Sequence, residues 1–278
     1  MNETKQEVMN NVGKVMATLY QGDCLEILPT LPAASVDCII ADPPYGTTAC
    51  KWDSVISLEP MWKELKRIIK PRGAIVLFGS QPFTSALIMS NPSDFRYDYS
   101  WDKKNPKGYL NANKQPLRRH EDILIFGEGK LTYNPQMRKG VLRAKGGGNP
   151  LSNKGSYGFH LKPISINDDY HPTSILEITS ANQREKQHPT QKPVALMEYL
   201  IKTYTNAGET VLDFTAGSGS TLVGAINTSR KAIGIEQDAD YIAIAANRCK
   251  KAIESQAMSL WANEPQELEP SRQLELSS

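Results

Sequence analysis

Val211-Leu212-Asp213-Phe214-Thr215-Ala216-Gly217-Ser218-Gly219-Ser220-Thr221 is an apolar run, a loop of small residues and the opening of a helical pattern. A short apolar run closed by Asp reads as a buried strand. Gly217 and Gly219 let backbone N–H groups, and the helix start that follows, come close to a ligand. Two ligands suit such a turn. A dinucleotide would want a third glycine three residues past Gly219, where Leu222 stands. An adenosine ligand without a pyrophosphate has no such need. The next apolar run, Ala232 to Ile235, ends in Glu236, about 17 residues past Gly219, where a doubly wound sheet sets the acid that binds ribose hydroxyls. A solvated strand-end acid is the plainer reading of Glu236.

The pattern extends outward in both directions. Helical spacing covers 194–203 and 239–253, and strand 210–213 lies between them. Toward the N-terminus, Val36 to Ala41 reads as a strand. Leu58, Met61, Trp62, Leu65, Ile68 and Ile69 recur at helical spacing, and Lys70-Pro71-Arg72-Gly73 stops that helix before the strand Ala74 to Phe78. The strands are too continuously apolar to be half exposed. Strand, helix and strand in alternation then predict an α/β fold, a doubly wound and mostly parallel sheet with helices on both faces.

One strand ends unusually, in Ile40-Ala41-Asp42-Pro43-Pro44-Tyr45-Gly46. Two prolines stop a ladder and Asp favours a turn, which is the plain reading. The same cluster, stiffened by two fixed φ angles, can also present a carboxylate, a carbonyl and a flat ring to a planar substrate bearing an NH₂ group. Held by the Asp42 carboxylate and the Pro43 carbonyl, the amine of adenine or cytosine would be drawn toward tetrahedral geometry with its lone pair aimed. Tyr45 could stack on the base, worth roughly 1–3 kcal/mol. Two further stretches stay open. His188-Pro189-Thr190-Gln191-Lys192-Pro193 is a capped turn or part of the chemistry, and Asp23 in Gln21-Gly22-Asp23-Cys24 is a turn residue or an acceptor for an adenine amine.

Composition bounds the rest. The 278 residues, at roughly 150 per domain, suit one large domain or one carrying an insertion. Forty per cent hydrophobic and 22% charged residues exclude collagen, coiled coil and wholesale disorder. No apolar run reaches the ~18 residues of a membrane span, and no signal-like start is present, so a cytoplasmic protein without a membrane partner is expected. The four cysteines form no C-x-x-C pair, which predicts neither a disulfide framework nor a metal site. The net charge is only +2, yet 13 Lys and Arg face 4 Asp and Glu between Trp101 and Lys162. Trp101, Tyr109, Tyr133 and Tyr157 interleave there with Lys103, Lys104, Lys107, Arg118, Arg119, Arg138, Lys139, Arg143 and Lys145, which suits a nucleic-acid contact; a solvated basic loop is the alternative.

Asp42 to Tyr45, together with Asp213 to Thr221 and His188 to Pro193, resembles the amino-methylating DNA methyltransferases, particularly the adenine-N6 enzymes. The order, with the Asp-Pro-Pro-Tyr block ahead of the glycine loop, resembles the β group of that family, a circular permutation of the methyltransferase fold. The likeness covers residues 18 to 250. It departs at Thr215, where the family usually has Phe.

The resemblance implies S-adenosylmethionine as cofactor, no metal, and double-stranded DNA as partner. A homodimer and a cognate restriction nuclease stand as further partners to consider. By resemblance, Asp42, Pro43, Pro44 and Tyr45 are catalytic and hold a base flipped out of the duplex. Asp213, Thr215, Ala216, Gly217, Ser218, Gly219, Ser220 and Thr221 form the methionine end of the cofactor pocket, and Glu236 takes the ribose. Asp23 and Cys24 border the adenine, while His188, Lys192 and Pro193 close over the methionine. The domain plan expected is a catalytic half at 17–126, an inserted basic target-recognition region at 127–187, a cofactor half at 188–253 and a poorly ordered tail at 254–278. The reaction expected is site-specific methylation of adenine N6 in DNA. Cytosine-N4 methylation is the nearest alternative; an RNA methyltransferase, a nicotinamide-dependent oxidoreductase and a non-catalytic DNA-binding module are more remote.

Overall fold

A computed structural model describes residues 4–46, 55–145, 165–180 and 191–262 of the chain. Strands β1 (Thr4–Met9) and β2 (Val15–Gln21) form an antiparallel pair. A single turn of helix, α1 (Cys24–Ile27), precedes β3 (Val36–Ala41), and α2 (Leu58–Ile68) leads to β4 (Ile69–Gly79). Then come α3 (Phe83–Ser90), β5 (Phe95–Lys107) and β6 (Arg118–Phe126). Three short strands follow, β7 (Arg138–Lys145), β8 (Ser165–Tyr170) and β9 (Ile175–Glu177). The last part runs α4 (Val194–Tyr204), β10 (Thr210–Asp213), α5 (Ser220–Asn227), β11 (Lys231–Glu236) and α6 (Ala239–Ala262).

Among the described residues, nine strands form one sheet in the order β1-β2-β11-β10-β3-β4-β6-β5-β9. The five from β2 to β4 are mutually parallel, and β6 runs against β4. Alternation along each strand splits the core in two. Cys38, Ile40, Val76 and Phe78 face a layer that holds Leu200 of α4, Ala225 of α5 and Ala245 of α6. Ile39, Ala41, Ile75 and Leu77 face Ile27 of α1, Leu65 of α2 and Leu87 of α3. Because both faces are covered, the central strands carry apolar residues at nearly every position.

The strand order reverses between β3 and β10. From β3 the chain winds one way to β4, and from β10 the other way to β11, so the carboxyl ends of β3 and β10 open a crevice at the switch point. β10 and β11 lie between β2 and β3 although they come last in the chain.

Several expectations are revised. Strand β1 precedes the predicted start at residue 17, and α6 runs to Ala262 rather than 253. β5 extends the main sheet through a stretch that reads as polar loop. Trp101, expected among DNA-facing aromatics, is instead core: it is buried, sets its ring edge-on to Phe78, and donates its indole N–H to the Ile178 carbonyl at 2.7 Å. Within 127–187, β7 and β8 form a separate two-stranded sheet, while β9 returns to pair with β5. Tyr157 lies outside the described residues.

Candidate active site

Leu212 of β10 is paired with Ile39 of β3, so Asp213, one residue on, and Asp42, three residues on, emerge side by side at the same sheet edge. Between and around them lies a cavity of about 670 Å³. Its walls include Asp42 to Tyr45, Asp213, Thr215 to Ser218, Ser220, Thr221 and Glu236, with Asp23, Cys24, Gln191 and Lys192. Two distant stretches of chain thus meet in one crevice. Gly219 and Pro193 do not line it; they are the residues just before the first turns of α5 and α4. His188 lies outside the described residues.

On the β3 side, the Asp42 carboxylate accepts a hydrogen bond from the Tyr45 hydroxyl at 2.5 Å through Oδ1, and one from the Lys192 ammonium through Oδ2. Burial raises the Asp42 pKa, Lys192 opposes that rise, and Glu121 adds to it. Lys192 also lies against Glu121 and above the Phe78 ring. Burial would strip its proton, but the charges of Asp42 and Glu121 prevail and hold it as an ammonium. Lys192, expected to close over the cofactor's methionine, lines the cavity with its charge directed at the Asp-Pro-Pro-Tyr corner. The Tyr45 ring stacks on Phe83, the first residue of α3, with centroids 5.3 Å apart. Burial and the neighbouring Asp42 keep its hydroxyl protonated.

On the β10 side, Asp213 caps the small-residue loop. Its Oδ1 accepts the Thr215 amide at 3.0 Å and its Oδ2 the Thr221 hydroxyl at 2.6 Å. Burial pushes this carboxyl up to about 7 against those two hydrogen bonds, with Asp42 and Glu236 adding to the rise. The Thr215 hydroxyl is buried in the cavity wall without a hydrogen-bond partner, an orphan of the kind a polar ligand satisfies. Phe214, one position before the family's usual ring, is buried in the core instead.

Glu236 accepts the Gly217 amide at 2.8 Å and the Asp238 amide at 3.1 Å, so it fixes the loop while still lining the cavity. Asp23 proves to be the N-cap of α1, accepting the Leu25 amide at 2.8 Å, and it borders the cavity as well. Both open readings of that residue are compatible with its place. Burial, reinforced by Asp23, pushes the Cys24 thiol up to about 12, which leaves it a neutral wall group rather than a nucleophile.

Two supporting residues, Arg248 and Glu121, escaped the sequence reading, and a third, Lys103, expected at the nucleic-acid contact, is instead buried and paired with Glu121. Arg248 of α6 reaches under the loop to the Ser218 carbonyl at 2.5 Å and the Ser220 hydroxyl at 3.3 Å. Glu121 of β6 and Lys103 of β5 continue the charge chain from Lys192, with a Lys103 to Glu121 contact of 2.8 Å. None lies in a motif; the only signal for Glu121 and Lys103 is their place in strands that end near the site.

Residues 36–247 match the N6/N4-methyltransferase family profile, described as DNA methylase. The chain is 29% identical over 253 residues to the Type II methyltransferase M.HpaI of Haemophilus parainfluenzae, with 83% of this chain and 73% of that one covered. It is also 29% identical over 253 residues to the DNA adenine methyltransferase YhdJ of Escherichia coli K12, covering 85% and 83%. Among solved structures, the M1.HpyAVI complex with SAM is similar at a TM-score of 0.57 and 26% identity, over 84% of this chain and 98% of that one.

Proposed function

The chain belongs to the N6/N4 family of DNA methylases, and from that premise we propose that it methylates N6 of adenine in a specific sequence of duplex DNA. The observation that carries this reading is the meeting of Asp42 to Tyr45 with the Asp213 loop in one crevice. S-adenosylmethionine is the cofactor; when bound it supplies an activated methyl group on a sulfonium and leaves as S-adenosylhomocysteine. The residues fit it: an unpartnered Thr215 hydroxyl and the Asp213 carboxyl at one end of the cavity, Glu236 at the end of β11, Asp23 and Cys24 beyond.

The chain's own groups then do the positioning. Asp42 and the Pro43 carbonyl take the two N–H bonds of a flipped base and aim the nitrogen lone pair. Tyr45, braced by Phe83, offers a ring to the base. No formal base is needed, because the amine turns acidic once methylated and water can take the proton. Asp42 at the head of the block, with a relative named as an adenine methyltransferase, supports adenine over cytosine. The basic residues of 127–187 would serve the DNA contact.

The test is to incubate the protein with methyl-labelled S-adenosylmethionine and duplex DNA, then digest to nucleosides. Label is expected in N6-methyladenine; label in N4-methylcytosine would overturn the adenine reading.

A further inference from the structure

Asp42, Lys192, Glu121 and Lys103 form a line of alternating charge that runs from the cavity into the sheet. Little of it meets solvent: the Lys192 and Lys103 side chains are each 11% exposed and Glu121 18%. Such a buried chain is a poor device for stability, because the cost of taking four charges out of water cancels most of their attraction. Its detail is more telling. Glu121 Oε1 is filled by Lys103, while Oε2 is buried, 3.2 Å from the Lys192 nitrogen, and without a hydrogen bond. The Lys192 ammonium, with three N–H donors, makes its short hydrogen bond to Asp42. One ammonium thus stands between two carboxylates, close on Asp42 and looser, at 3.2 Å, on Glu121.

We propose that Glu121 is a positioning residue that draws the Lys192 ammonium off Asp42 when a substrate amine arrives, so that Asp42 meets the amine as an uncommitted acceptor. This rests on the reading of Asp42 as the amine's acceptor. A carboxylate already bonded to an ammonium is a weaker acceptor for a neutral N–H than one that is free. The hand-over needs only a small displacement, since Lys192 is already in ion-pair range of Oε2. Glu121 is absent from the cavity wall, so it acts through Lys192 and not on the base.

The experiment is a double-mutant cycle on the full chain, read as single-turnover methylation of duplex DNA and as KM for DNA, with S-adenosylmethionine affinity by calorimetry as the folding control. Glu121→Gln is expected to slow methyl transfer between about ten- and a hundredfold, with KM and cofactor affinity changed less than about threefold. In a Lys192→Met background the same substitution is expected to have no further effect. An equal loss in both backgrounds, or no loss in the wild-type background, would overturn the proposal. If Glu121→Gln fails the cofactor control, Glu121→Asp replaces it; one methylene shorter, it is expected to slow transfer with the same dependence on Lys192, and an undiminished rate would overturn the proposal. Wild-type protein that methylates no amine in DNA would sink the underlying reading instead, which keeps the two failures apart.

Discussion

At the scale of single residues, the site is governed by two carboxyls with different partners. Asp42 is held by a cation and a phenol, and it faces the place where the amine would sit. Asp42→Ala is expected to lower methyl transfer by at least about a thousandfold, while calorimetry with S-adenosylmethionine is expected to find nearly unchanged affinity. Asp213 has only neutral donors, and burial leaves it titrating near 7. A folded-state value raised from 3.8 means the apo fold gains relative stability below that value and loses it as pH climbs to about 7. Binding of a cationic cofactor favours the ionised form and therefore runs the opposite way. Cofactor affinity is expected to rise by about tenfold between about pH 6 and about pH 8, and Asp213→Asn should flatten that profile; a flat wild-type profile would contradict the assignment.

At the scale of elements, conformation explains what was readable. β3 and β10 have the bounds predicted, Val36–Ala41 and Thr210–Asp213, because both are short apolar runs closed by Asp. β5 was passed over although Phe95, Tyr97, Tyr99 and Trp101 alternate with polar residues as a strand's would, because its end, Lys103 to Lys107, and the stretch beyond it are polar and loop-like. Its identity comes from pairing with β6, which a linear reading does not contain. The same limit hid Glu121 and Arg248, and gave Lys103 a surface role, because their places arise only when separate elements touch. The end of α6 was missed although Ile253, Ala257, Leu260 and Trp261 continue the helical spacing of apolar residues. Trp101→Ala is accordingly expected to cost about 3–5 kcal/mol of stability, seen in denaturant melts, rather than to weaken DNA binding selectively. The loop before α5 gives a second test. Gly219 sits at φ +78°, and a Cβ there would come within 2.8 Å of the Ala245 Cβ. Gly219→Ala should destabilise the fold by roughly 1–3 kcal/mol and weaken cofactor binding, measured by thermal melts with and without ligand.

At the scale of the whole molecule, net charge says little and its distribution says more. Several expected DNA contacts are already matched by acids: Arg119 pairs with Asp102, Lys104 with Glu177, and Lys139 with Asp168 and Asp169. Arg138 and Arg143 on β7 have no salt-bridge partner among the described residues, although Arg143 lies 4.2 Å from the Tyr170 ring centre. Replacing each by Gln is expected to reduce the slope of log affinity for DNA against log salt by about 0.9, without changing cofactor affinity; an unchanged slope would remove β7 from the interface. The order of the central strands carries one more consequence. Since β10 and β11 lie between β2 and β3, the ribosome releases the two flanks of a gap well before the pieces that fill it. Until residues 210–236 emerge, the nascent chain holds two unsatisfied strand edges, so the crevice can form only once β11 has been made.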